Sequence, residues 1–192
     1  MLPITITTTA PTLETTPVFK TTCYPWANGS SFRPLCYARC AIVEGQGMLV
    51  DLQAFERSPE FGSADLLDDS CVAVAFDFFP ERGRKMLIGV FNAKGQYLLF
   101  ADESPLDYPL DVASYAGEDE QGWYWGIRVT LPHELLKQVF GSAKISDGHT
   151  MLGNFYKFKR TGNTSHLGAV CPANHDFIFS HDNLSPFAAV SY

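Results

Sequence analysis

Apolar side chains recur at every second position through much of the chain, the spacing that sends alternate residues to opposite faces of an extended strand. Trp123, Trp125, Ile127, Val129 and Leu131 alternate with Tyr124, Gly126, Arg128 and Thr130, which predicts an amphipathic strand over 123–131. Met48, Val50, Leu52 and Ala54 alternate in the same way with Asp51 and Gln53. The strand-like run Cys36–Val43 precedes them, and Glu44-Gly45-Gln46-Gly47 supplies the glycines of a tight turn, so residues 36–55 predict a hairpin. In 71–79, Val72, Val74, Phe76 and Phe78 share one face and Cys71, Ala73 and Ala75 the other. Both faces are apolar, the mark of a central strand. Strands are also predicted over 86–92 and 96–101, joined through Ala93-Lys94-Gly95, over 150–159, and in a short final run near 187–192. One segment breaks the rhythm: Pro132 opens and Gly141 closes an eight-residue stretch that predicts the single short helix.

About eight or nine strands with one helical turn and no strand–helix–strand alternation predict an all-β chain. The expected architecture is an antiparallel β-sandwich of two sheets, immunoglobulin-like or jelly-roll-like. Residues 1–22 are rich in Thr and punctuated by Pro3, Pro11 and Pro17, and are expected to form an extended arm, pairing with a sheet edge, with 23–192 as a single domain. The stretches 102–122, which is acidic, and 160–192 are expected to be rich in turns.

Composition narrows the partners. The chain has 192 residues and a formal net charge of −7, which repels polyanions. Its basic residues form only short clusters (Arg82, Arg84, Lys85; Lys157, Lys159, Arg160), so nucleic acid is not expected as a partner. No stretch approaches the ~20 apolar residues of a membrane span. No positive charge precedes Lys20 and no continuous apolar run follows, so a cytosolic protein is expected, or an extracellular one if a signal was removed. The cysteines at 23, 36, 40, 71 and 171 form no compact framework and are read as buried free thiols.

No phosphate loop, nucleophile elbow or helical His-x-x-x-His is present, and no catalytic residue is assigned, so the chain is not expected to be an enzyme. Asn92, Asn154, Tyr156 and Lys157 are polar groups on otherwise apolar strands. Such a group must find an internal partner or face a cavity, and cross-strand hydrogen bonding and ligand contact both satisfy that demand. With Trp26, near a turn, and His166 they make the candidate ligand-binding set. Asp68 and Asp69 either cap a turn or supply oxygen ligands to a calcium ion. His175 and His181, each followed by Asp, are a further metal candidate.

Several of these segments, in their order, resemble carbohydrate-binding module family 9. Asp69-Ser70-Cys71-Val72 resembles its acidic lead-in to a central strand, and Phe91-Asn92-Ala93-Lys94-Gly95 its Asn-x-x-Gly turn. Trp125 to Leu131 with Pro132 and Leu135-Leu136 resembles its tryptophan strand and Pro-started turn. Asn154-Phe155-Tyr156-Lys157 is similar to its late Asn-Phe-Tyr-Arg/Lys strand, and His166 to Pro172 with Asp176-Phe177 to its C-terminal segment. The resemblance covers residues 24–192. It implies a β-sandwich that binds a mono- or oligosaccharide, often at a chain end, sometimes with structural calcium. The departures lie at the sugar contacts: Ala73 stands where the family has Glu, Val90 where a basic residue is common, and Leu67 and Val170 near the two clamp tryptophans. A structural or interaction role on a degenerate sugar-binding scaffold is the alternative expectation. A haem-binding relative, with Met86, Met151, His149 and His166 as candidate ligands, is the third.

Overall fold

The computed structural model describes residues 1–25, 32–174 and 177–191. Among these the strands are β1 (Leu2–Thr7), β2 (Val18–Lys20), β3 (Cys36–Val43), β4 (Gly47–Ala54), β5 (Cys71–Asp77), β6 (Leu87–Asn92) and β7 (Tyr97–Ala101). They continue with β8 (Ser104–Pro105), β9 (Val112–Asp119), β10 (Gly122–Pro132), β11 (Thr150–Lys159), β12 (His166–Ala169) and β13 (Ser185–Ser191). One helix, α1 (His133–Phe140), follows β10, with Gly141 left-handed at φ 70° to end it. The expected all-β class and lone helix are therefore borne out.

Pairing throughout in antiparallel fashion is not. The strands form one hydrogen-bonded path, β8-β7-β6-β5-β11-β13-β1-β3-β4-β10-β9, with β12 added on β11 and β2 on β3. β1 runs parallel to both of its neighbours, β13 and β3, which makes the sheet mixed and continuous. The reason lies in the first seven residues. Ile4 and Ile6 are buried while Pro3, Thr5 and Thr7 are only partly so, and the inward pair fills the gap between the two halves. The segment expected as an arm thus joins β13 to β3.

The sheet curls, and its two halves enclose one core. Val72, Val74 and Phe76 of β5 meet Val50, Leu52 and Met48 of β4 there, and Phe19 of β2 stacks on Phe155 of β11 with ring centroids 5.8 Å apart. α1 closes one end with Leu135, Leu136, Val139 and Phe140. The opposite face of β5, β6 and β11 carries a second apolar cluster, including Cys71, Ala73, Val90 and Tyr156, against which Phe177, Phe179 and Leu184 pack. Both faces of β5 are buried, as its sequence predicts. All five cysteines are free thiols, and all but the partly exposed Cys23 are buried.

Candidate functional site

The polar residues singled out in the sequence sit around β5 and β11, and they are sealed. Asn92, Asn154, Tyr156 and Lys157 have no exposed surface and His166 has 1%. Asn92 pins the β6–β7 turn: its Oδ1 accepts from the N–H groups of Lys94 and Gln96, and its Nδ2 donates to Asp69 at 2.9 Å and Gln96 at 2.8 Å. Asn154 staples the C-terminal segment: its Nδ2 donates to the carbonyl of Asn183 at 2.8 Å, and its Oδ1 accepts from the N–H of Cys171 at 2.9 Å. The Tyr156 hydroxyl has no hydrogen-bond partner among the described residues.

Lys157 points into the core beside Trp125. Its Nζ lies 3.1 Å from Glu56 Oε2 and 3.0 Å from His166 Nε2. The same Glu56 accepts from Trp125 Nε1 at 3.1 Å and from Ser70 Oγ at 3.0 Å. His166 Nδ1 lies 2.7 Å from the carbonyl of Thr164, which sets Nδ1 as the protonated nitrogen and leaves Nε2 to accept from lysine. Burial and the neighbouring Lys157 charge push the His166 imidazole down to about 4, so it is neutral near pH 7. Burial also lowers the Lys157 ammonium against the pull of Glu56. Burial alone would raise the Glu56 carboxyl, but Lys157, Trp125 and Ser70 outweigh it and hold it low.

Asp68 and Asp69 diverge. Asp68 pairs with Arg160 at 3.0 Å, while Asp69 accepts from Asn92 and from the N–H of Ser63 at 2.9 Å. Calcium takes about six to eight oxygen ligands, and among the described residues no three His, Cys, Asp or Glu side chains gather to hold a metal. Both carboxylates are thus already bonded to protein donors. His181 is paired with Asp77 at 2.9 Å. Trp26, His175 and Asp176 lie outside the described residues. Met86 and Met151 belong to different clusters, on opposite faces of the layer formed by β5 and β11, and so do not converge on one haem.

The outer face of β3, β4, β10 and β9 is different. Strand register sets two rows of side chains across it. One row is Tyr37, Gln53, Gly126 and Tyr115; the other is Arg39, Asp51, Arg128 and Ala113. Tyr124, one step along β10 from the first row, lies opposite Gly117 of β9. Both glycines are required by close approach: a Cβ at Gly126 would collide with the Tyr115 ring, and one at Gly117 would come within 2.5 Å of the Tyr124 hydroxyl. Each tyrosine therefore lies down over a glycine of the facing strand and is half-buried there. Phe55 bridges Tyr37 and Tyr124 with centroids 5.1 and 6.0 Å away, and Tyr115 follows at 6.4 Å from Tyr124.

The charged row is balanced. Arg128 bonds Asp51 at 2.7 Å and reaches Glu14 at 3.4 Å, and Arg39 donates to the carbonyls of Glu14 and Thr16. Tyr115 donates a short hydrogen bond to Asp51, and burial together with that carboxylate raises its phenol well above the usual range. The Gln53 amide and the Tyr124 hydroxyl make no side-chain hydrogen bond to another described residue, so both remain open to a ligand.

These residues bound a groove of about 520 Å³, within the ordinary size of ligand sites. A larger hollow of about 650 Å³ beside Leu67 is lined by leucines, Phe100 and Pro105 together with Asp65, Tyr97, Asp107 and Tyr108. Sequence reasoning missed the groove. The signal available was the second face of its strands, where Tyr124, Gly126 and Arg128 alternate against the buried Trp125, Ile127 and Val129.

No family model matches the chain, and no curated protein matches it. Solved structures do share its fold over nearly the whole length. A Bacteroides uniformis protein, provisionally described as carbohydrate-binding, is 18% identical with a TM-score of 0.72, covering 98% of each chain. A family 9 carbohydrate-binding module from Caldicellulosiruptor kristjanssonii in complex with cellotriose is 10% identical, with a TM-score of 0.68 over 99% of this chain and 94% of that one. The same module with glucose gives 10% and 0.69 over 99% and 96%. The fold is thus that of family 9 modules.

Proposed function

We propose that this chain, built on a family-9-like fold, is a non-catalytic carbohydrate-binding domain. The observation that carries the reading is the open groove, where Tyr37, Tyr115 and Tyr124 share one face with the free Gln53 amide and a balanced set of charges. Aromatic rings of this kind stack on the C–H faces of a pyranose, and planar amides, carboxylates and guanidinium groups bond its hydroxyls. Structures of the same fold hold cellotriose and glucose, which supports a sugar as the ligand class. No paired acid and base is assigned, so binding without turnover is the reading. The five unpaired thiols are in keeping with the reducing setting expected of a cytosolic chain.

At the family's contact positions the picture is apolar. Ala73 and Val90 are buried in the second cluster with Leu67 packed against it, and Val170 is buried in the main core. That favours a second reading, an interaction protein on a scaffold whose aromatic clamp has been lost. Isothermal titration against a panel of mono- and oligosaccharides separates the two. Saturable heat with at least one glycan is expected, and silence across the panel removes the first reading.

A further inference from the structure

We propose that the hollow of about 650 Å³ beside Leu67 is a second ligand site, and that it takes a small organic cation with an apolar body, an aliphatic or aromatic amine. It shares no lining residue with the tyrosine groove, so it stands whether or not the groove holds a sugar.

Its wall is built before any ligand arrives. β7 and β8 pair through Phe100 and Pro105. The chain beyond β8 is then stapled back onto β7. The Leu106 N–H donates to the Leu99 carbonyl at 2.9 Å. The Tyr97 hydroxyl accepts from the Leu110 N–H at 2.8 Å and donates to the Tyr108 carbonyl at 3.3 Å. The turn that carries Asp65 and Leu67 completes the lining, and it is held by the Leu67 N–H donating to Asp65 at 3.0 Å. Walls fixed in this way leave little ordering to be done on binding.

The lining is apolar and aromatic. Tyr97, Phe100 and Tyr108 contribute rings, and Leu67, Leu98 and Leu106 are only partly buried. An apolar cleft of this volume with a few polar groups at fixed places has the make-up of a small-molecule site.

The charge is of one sign. Asp65 and Asp107 line the hollow, and no basic side chain does. Arg160 is divided between Asp65 at 2.6 Å and Asp68 at 3.0 Å, so those three groups keep one net negative charge. Asp107 is exposed and forms no ion pair with a described residue. Lys94, the base of the β6–β7 turn, is held over the Phe61 ring at 4.5 Å from its centroid. A cleft lined by one sign of charge concentrates the other, and aromatic faces attract an ammonium group as well. A neutral polyol gains from neither effect, and an anion is repelled.

The test is isothermal titration with phenethylammonium, phenethyl alcohol and phenylacetate, which are close in shape and differ in charge. The ammonium is expected to bind about tenfold more tightly than the alcohol, and phenylacetate is expected to give no heat. Asp107→Asn, at an exposed position, is expected to weaken the ammonium about tenfold, leaving the alcohol and the thermal midpoint unchanged. Asp107→Lys is expected to reverse the preference, so that phenylacetate binds better than the ammonium. Equal affinity for ammonium and alcohol overturns the cationic class. An ammonium affinity that Asp107→Asn leaves unchanged overturns the assignment to this hollow, and silence toward all three probes overturns the site. The glycan titrations of the groove are read separately, so failure here leaves the sugar-binding reading standing.

Discussion

The groove and the cluster around Lys157 use the same kinds of side chain for opposite ends. Each has a cation beside carboxylates, an aromatic ring and a side chain with hydrogen-bonding nitrogen. Around Lys157 every polar contact closes inward: Glu56 takes lysine, tryptophan and serine, and His166 takes lysine and gives to Thr164. On the groove face the arginines and Asp51 hold one another in place, while Gln53 and Tyr124 keep their capacity unspent. A buried network satisfied from within serves the fold, and a half-open one serves a ligand. Polarity on a strand does not separate the two cases; the partners do.

The comparison is broken most severely by removing the lysine. Lys157→Ala leaves Glu56 charged and buried without its partner, and is expected to destabilise by about 3–5 kcal/mol. Replacing both, Glu56→Gln with Lys157→Met, is expected to recover most of that loss. Urea denaturation of the two variants checks it, and equal losses in both would show that the pair does not act as a unit.

Acid probes the same cluster without mutation. His166 is held at about 4 in the folded protein, against an ordinary value of 6.5. The unfolded chain binds the proton first, so stability is complete above pH 6.5, falls as pH drops toward 4, and levels off below. At about 1.4 kcal/mol per unit the total is about 3 kcal/mol. Denaturation measured at pH 7 and pH 4.5 reads the slope, and His166→Gln is expected to flatten it.

The smallest expected effect lies on the groove. Arg128→Ala removes a half-exposed arginine from a nearly buried Asp51 that keeps its Tyr115 hydrogen bond, and is expected to cost about 1 kcal/mol of stability. A larger loss, seen in the thermal midpoint, would place Arg128 among the structural groups and weaken the contrast.

The buried half was the more legible in the sequence. Strands at 36–43 and 150–159 were expected with the bounds they have, as was β5 as a strand covered on both faces. Asn92, Asn154, Lys157 and His166 stood out because they interrupt apolar runs, but nothing in a run says whether the partner is internal or a ligand. The groove hid for the converse reason. β9, Val112–Asp119, has one face in the groove and lies at the sheet edge, so no apolar period marks it, and its residues read as an acidic loop. The wall that carries Tyr115 was therefore missed along with the site. β1 was expected as an arm at a sheet edge, and its interior place was missed for want of apolar weight: two isoleucines among threonines do not mark a strand flanked by both β13 and β3.

That placement of β1 has a consequence for assembly. Leu2–Thr7 is clasped between β3, close to it in sequence, and β13, about 180 residues away, with Leu2 lying against Phe187. Contacts so distant in sequence form slowly, so the sheet cannot close until β13 has been made. Until then the rims of β3 and β13 stand open, and a nascent or clipped chain carries two exposed templates for pairing with another copy.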